Sequence, residues 1–386
     1  MRTAPFLLLF GLTACVDQST DSGDTGQTDT GTRQARDGKT DCRPIDNAES
    51  EGVQTLTIHR DRVAGTLTDF PLLVALDDPE NEIFALAHRS GDNLLFQDAD
   101  GVTLDHELER YDPDAGNLVA WVRLPTISDE DDTVLSIHYV DTPSAQQATD
   151  AVWDANFVGV WHLDEAPAND EESYLDSSAF QNHATPSNFP SGNVSTRDGT
   201  GRIAGGMRLS SDDDTRLTVP NNSSLDVEQV TMEAWVMPNP NLLQGRVMEH
   251  TREANGHSAI YGLLISPSGT EVTSEFYNSN GNVTPLSSGD TLALGQWNHV
   301  VATYDGSKAV LYVNGQRVDS SSGHAETPLI ETLTGLGLGI GNQLERSRGL
   351  EGSLDEVRLS NVARSPEWIA TQYNNQSSPE SFYSLR

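Results

Sequence analysis

Lysine is nearly missing from this chain. Lys39 and Lys308 are the lysines, and arginine supplies the rest of the 23 basic residues. Positive charge of any kind is short: 58 acidic side chains leave a formal net charge of −35. A surface of that sign repels nucleic-acid phosphates and anionic lipid headgroups, which argues against both as direct partners. Cysteine is as scarce. Cys15 and Cys42 cannot build a disulfide framework. Long apolar runs are absent, and Pro5 to Phe10 is too short to cross a bilayer as a helix. There is no HExxH, no GxSxG, no P-loop and no dinucleotide fingerprint, and the ten histidines include no close pair at metal-binding spacing. No catalytic residue is assigned, and the chain reads as a non-enzyme. Hydrophobic residues make up only 36%, low for the length, so some segment must lack a core.

The chain is long enough for two or more domains. Residues 1–15 read as an export signal, with Arg2 as the positive start and a short apolar region after it. Leu12-Thr13-Ala14-Cys15 resembles a bacterial lipobox. The resemblance implies that Cys15 carries acyl chains that anchor the mature protein in a membrane, at the bacterial outer membrane or cell surface. Residues 16–50 are Asp, Thr, Ser and Gly with almost nothing apolar. Such a segment cannot offset its ordering entropy and is expected to be a disordered tether with a reach of about 30 Å. Cys42 near its end is then a free thiol or half of an intermolecular bridge.

Residues 51–155 show short β-type runs between turn signals, including Thr55–His59, Phe70–Leu76, Leu94–Phe96, His106–Tyr111, Leu118–Leu124 and Thr133–Val140. They predict a small all-β domain with one short helix over 82–88. Leu67–Val74, Leu95–Gly101, Val119–Val122 and Ala151–Asp154 resemble a bacterial domain of unknown function, DUF2341, which commonly precedes a laminin-G-like module and implies no known activity. Asp105, Glu107 and Glu109 alternate, so they share one strand face. Carboxylates so spaced serve glycosidases, but charge alternation of this kind reads as a solvated face.

Residues 156–386 are organised around Trp297–Val318. Asn314-Gly315 between β-formers predicts a type I′ hairpin. Val300, Ala302 and Tyr304 point one way and Trp297, His299 and Val301 the other, so the strand is expected to be covered on both faces. Val158–Glu165, Leu175–Ser178, Asn182–Ala184, Gly205–Leu209, Thr231–Val236 and Gly352–Ser360, with that hairpin, resemble a laminin-G-like, concanavalin A-like lectin/glucanase domain. The resemblance implies a jelly roll of two antiparallel sheets with first and last strands adjacent, and an all-β chain overall. One helix is expected from Ser365 to Ala370, with Ser365 as N-cap and Pro366 in the first turn.

The resemblance also implies calcium, held by Asp176 and Asp355 with Asp164 and Asn182 as further ligands. Calcium takes six to eight oxygens, which such loops can supply. The competing reading has Asp176 capping a turn and Asp355 pairing with an arginine. Asp212–Asp214 reads as a solvated loop. Trp161, Trp235 and Trp297 read as core, Trp368 as a helix anchor and His299 as a sheet histidine. Loops 252–258 and 276–284 offer polar and aromatic groups to a sugar. The expected function is a non-catalytic binding or adhesion module for a glycan or a surface protein, assisted by calcium. A glycoside hydrolase of the same fold and a structural envelope component are the alternatives. The ligand and the oligomeric state are not legible.

Overall fold

The computed structural model describes residues 12–15, 42–45, 50–140, 149–165, 174–189, 201–212, 214–241, 243–251, 259–278, 281–322, 329, 336–344 and 348–386. Most of the expected signal and tether lies outside them. Within 12–45, Leu12–Cys15 runs antiparallel to Cys42–Ile45. No helix among the described residues is long and apolar enough to cross a membrane.

The first unit is a two-sheet sandwich. One sheet has Ser50–Ile58 between Tyr383–Leu385 and Thr133–Val140, with Leu94–Asp98 beyond. The other has Asn117–Ile127 between Leu67–Asp77 and His106–Asp112. Leu56, Ile58, Phe70, Leu72, Val74, Phe96, Leu135 and Ile137 fill the space between them. The alternation read from the sequence is therefore real, and the short helix is the single turn Ile83–Leu86.

The second unit is the jelly roll. Its seven-stranded sheet runs Thr185–Ser187, Arg216–Val219, Gly337–Ile340, Gly245–Thr251, Ala259–Ile265, Val272–Asn278, Gly281–Ser287. The facing sheet runs Met207–Leu209, Gly352–Ser360, Val230–Pro238, Asn298–Tyr304, Lys308–Val313, Gln316–Ser322. Phe157–Trp161 pairs with Gly352–Ser360, so the first and last strands of the jelly roll are adjacent. The hairpin turn has Asn314 at φ 50° and Gly315 at φ 73°, as a type I′ turn requires. Asn298–Tyr304 is buried along its whole length. Val300, Ala302 and Tyr304 face the sandwich core, whereas Val301 packs against Ile369 of the C-terminal helix. Trp297 is a correction: it precedes the strand and is only half-buried. Trp161, Trp235 and His299 are buried as expected.

The helix Pro366–Ser377 is twice the predicted length. Ser365 caps it, accepting from the Trp368 N–H at 3.2 Å. Its second half was invisible to hydropathy because the buried residues there are polar. Gln372 donates to Glu233 at 2.7 Å, Gln376 accepts from the Trp235 indole at 2.6 Å, and Asn375 exchanges two hydrogen bonds with the backbone of Leu73.

That helix joins the two units. Trp368 meets Phe70 edge-on at 5.3 Å, and Trp153, Phe157, Ile203 and Phe382 enter the first sandwich's core. Tyr383–Leu385 falls in the segment assigned to the jelly roll, yet it completes a sheet of the first sandwich. Arg364 grips Asp154 through two bonds of 2.7 Å, its guanidinium lying 4.2 Å from the Trp368 ring centre.

Burial raises the Asp154 pKa, but its bonds with Arg364 outweigh that and hold it below the ordinary value. A depressed carboxyl contributes stability above its unfolded pKa and loses it as the pH falls through the folded value. Asp154→Asn should therefore cost about 3–5 kcal/mol at neutral pH, because it leaves a buried arginine without its counter-charge. It should also flatten the acid limb of the stability curve, measured by urea denaturation at a series of pH values.

Candidate functional site

Two polar sites stand out, one on the seven-stranded sheet and one between the units. The first is a pocket of about 330 Å³ lined by Gln244, Arg246, Glu249, Ala259, Glu275, Gln343 and Arg348. Strand register builds its floor. Glu249 sits opposite Gly339 on one side and Gly262 on the other, and Gly262 sits opposite Glu275. Two carboxylates thus flank a glycine in one row across neighbouring strands. Gly262 carries no side chain, and Glu249 and Leu264 pack over it, 3.5 Å from where a Cβ would lie. Arg246 donates to Glu249 Oε2, and Thr251 donates to Oε1 at 3.2 Å. Gln244 is held by Thr273 at 3.0 Å. Burial, with the Glu249 charge adding and Arg246 and Arg348 opposing, raises the Glu275 pKa. The pocket offers hydrogen-bond donors and acceptors side by side, which suits a polyhydroxylated ligand. Of the loops named as sugar contacts, 252–258 and 279–280 lie outside the described residues.

The second site corrects the reading of the acidic strand. Asp105 is exposed, but Glu107 and Glu109 face the jelly roll and not solvent, with side chains 12% and 2% exposed. Two bulges aim the groups. Glu109 is the extra residue where the register slips between Leu108 and Arg110. On Gly352–Ser360 the register slips between Asp355 and Arg358, and Glu356 takes φ 50°. A bulge re-aims a side chain; here Asp355 and Glu356 both leave the sandwich core, which Leu354, Val357 and Leu359 keep. His162 Nδ1 lies 2.8 Å from Glu356 Oε1 and 3.5 Å from Glu109 Oε2. Arg358 donates to Glu356 Oε2 at 2.6 Å and lies 4.3 Å from the Trp121 ring centre and 4.8 Å from that of Trp153.

Burial works against ionising Glu109 and pushes its pKa up to about 8. Burial also opposes the Glu356 charge, but His162 and Arg358 outweigh it and lower that pKa. Glu109 borders a cleft of about 480 Å³, lined also by Tyr111, Asp164 and Gly205.

The four residues expected to hold calcium are not brought together as one ligand set. Asp176 accepts from the Val160 and Ser178 amides at Oδ1, both 2.8 Å. Its Oδ2 accepts from the Ser178 hydroxyl at 2.8 Å and the Asn182 amide at 2.7 Å. Those four donors take up the lone pairs a carboxylate has, so Asp176 does not fit a calcium ligand and holds a turn. Asn182 lies on that turn, its amide donating to Val158 O at 2.7 Å. Asp355 Oδ2 accepts from the Arg202 and Ile203 amides at 2.6 and 2.7 Å. Burial and the Glu356 charge raise its pKa well above the ordinary value. Asp164 borders the cleft. Asp214 accepts from Asn342 at 2.6 Å, so that acidic loop is tied down at one residue.

Sequence reasoning missed Arg246, Glu249, Glu275 and Arg348 because no local motif joins them; only strand register does. It missed Glu356 and His162 for a related reason. One signal was available: Leu354, Val357 and Leu359 are spaced three and then two apart, which a strand accommodates only with a bulge.

Residues 211–370 match the family model of the concanavalin A-like lectin/glucanases superfamily, and residues 90–169 match that of the domain of unknown function DUF2341. The chain thus carries a DUF2341 domain followed by a concanavalin A-like domain. No curated protein matches it. Among solved structures it is similar to the receptor-binding domain of botulinum neurotoxin mosaic serotype C/D, at 15% identity over 56% of this chain and 50% of that one, with TM-score 0.41. It spans about half of that chain. It is also similar to the CBM40 of Ruminococcus gnavus IT-sialidase bound to alpha2,3 sialyllactose, at 14% identity over 38% and 83%, TM-score 0.34. A third is domain 4 of a GH43 extracellular arabinanase from Geobacillus stearothermophilus in complex with arabinotriose, at 16% identity over 56% and 98%, TM-score 0.42.

Replacing Arg358 by methionine keeps most of the stacking area and removes the charge. It should cost about 3–5 kcal/mol by leaving Glu356 buried without its partner. Adding Glu356→Gln should restore part of that loss, and a double-mutant cycle by chemical denaturation measures the coupling.

Proposed function

We propose that this protein is a surface-displayed, non-catalytic module that binds carbohydrate through the pocket on the outer face of its seven-stranded sheet. The pocket's row of Glu249, Gly262 and Glu275, flanked by Arg246 and Arg348, is the observation that carries this reading. Carboxylates and guanidinium groups hydrogen-bond pairs of hydroxyls. The volume is at the lower end of the roughly 300–1,000 Å³ usual for ligand pockets, which favours one or two sugar units. The concanavalin A-like match supports the same class. In this reading an acyl group on Cys15 anchors the chain, and residues 16–50 hold the two sandwiches away from the membrane.

A second reading is favoured by the two carboxylates themselves, since glycoside hydrolysis needs such a pair. Glu249 is nearly fully buried and already paired with Arg246, which favours binding over catalysis. Release of reducing sugar by the full chain, lost in Glu275→Gln, would replace the binding reading with a hydrolase.

Arg348→Ala tests the binding site, because Arg348 lines the pocket and is partly exposed. The melting temperature should stay within a few degrees while glycan-array binding falls at least tenfold. Unchanged binding would move the sugar elsewhere. The anchor is tested separately: incorporation of a fatty-acid analogue should disappear in Cys15→Ala.

A further inference from the structure

Glu109, His162 and Glu356 reach one point from three separate segments, and among the described residues they form the group whose ligand atoms all lie within 4.8 Å of one another. Their side chains are 2%, 8% and 0% exposed. Oε1 of Glu109 is buried with no hydrogen-bond partner, a costly state for a carboxylate oxygen. The other oxygens are oriented from outside. The Trp121 indole donates to Glu109 Oε2 at 2.7 Å, and Arg358 holds Glu356 Oε2. Behind His162, Glu107 Oε2 lies 3.5 Å from Nε2 and accepts from the Trp153 indole at 2.8 Å, while Glu107 Oε1 accepts from the Ser177 hydroxyl at 2.6 Å. A carboxylate behind a histidine, and donors behind each carboxylate, is the arrangement that orients metal ligands.

We propose that Glu109, His162 and Glu356 bind a first-row divalent metal ion, with Zn²⁺ the expected occupant, which fastens the first sandwich to the jelly roll. An imidazole ligand selects such ions over calcium or magnesium. Zinc binds nitrogen and oxygen at about 2.0–2.2 Å in a tetrahedron, which sets its ligand atoms about 3.4 Å apart. The His162–Glu356 distance of 2.8 Å then opens slightly and Glu109 turns inward, both within the reach of side-chain rotation. Glu109 lines the cleft beside Asp164 and Gly205, the side from which water can reach a bound ion.

The test uses the full chain, stripped with chelator and dialysed against Zn²⁺, Mn²⁺ or Ca²⁺ at high salt, which screens weak binding by the acidic surface. Metal content and melting temperature are then measured. The wild type should retain a single equivalent of Zn²⁺ and melt several degrees higher with it, and Ca²⁺ should do neither. Glu109→Gln, close in shape, should weaken Zn²⁺ retention at least tenfold while melting in chelator no lower than the wild type. His162→Gln should do the same to retention. Folded wild type that keeps no stoichiometric Zn²⁺ would overturn the proposal. So would retention unchanged in Glu109→Gln, which would place the metal on the acidic surface.

Discussion

The guanidinium of Arg358 is the point on which the two sandwiches depend. It belongs to the strand that closes the jelly roll, yet its ring contacts are Trp121 and Trp153 on the other side of the seam. A buried arginine is tolerable only with a counter-charge and a polarisable surface. Glu356 provides the first and the two tryptophans the second. Glu107 and Glu109 then lie in a region of compensated charge, and the first sandwich can bury a strand face that would otherwise need water. Arg364 repeats the device at the other end of the seam, with Asp154 as counter-charge and Phe157 and Trp368 as surface.

Most of the architecture was legible in the sequence because it is local. The Asn314-Gly315 turn, the alternating strands and the Ser365 cap each follow from the few residues that form them. The seam was not legible, because alternation says which residues share a face and not what that face meets. Glu107 and Glu109 do share a face, as expected, but the face meets another domain. The helix end was missed for a related reason: Gln372, Asn375 and Gln376 are buried through hydrogen bonds, and a hydropathy pattern cannot show a partner more than a hundred residues away.

The calcium expectation illustrates the same limit at the scale of single atoms. Asp176 has the residue type and the loop context of a ligand, but its four hydrogen bonds make it a turn-builder. Glu109 has the opposite history. It looked like one of a row of solvated charges, and a single-residue bulge places it at the buried edge of the cleft with one oxygen unpaired. Ligand competence depends on which lone pairs the backbone leaves free, a property of the folded chain.

The pairing of Tyr383–Leu385 with Ser50–Ile58 sets the timetable of folding. The first sandwich is made early in synthesis, but one of its sheets keeps an open edge until Tyr383–Leu385 has been made. Its core also waits for Trp368 and Phe382, more than two hundred residues downstream of its last central strand. Contacts of such sequence separation are slow to form. The N-terminal unit therefore cannot finish folding before residues 368–385 have been made.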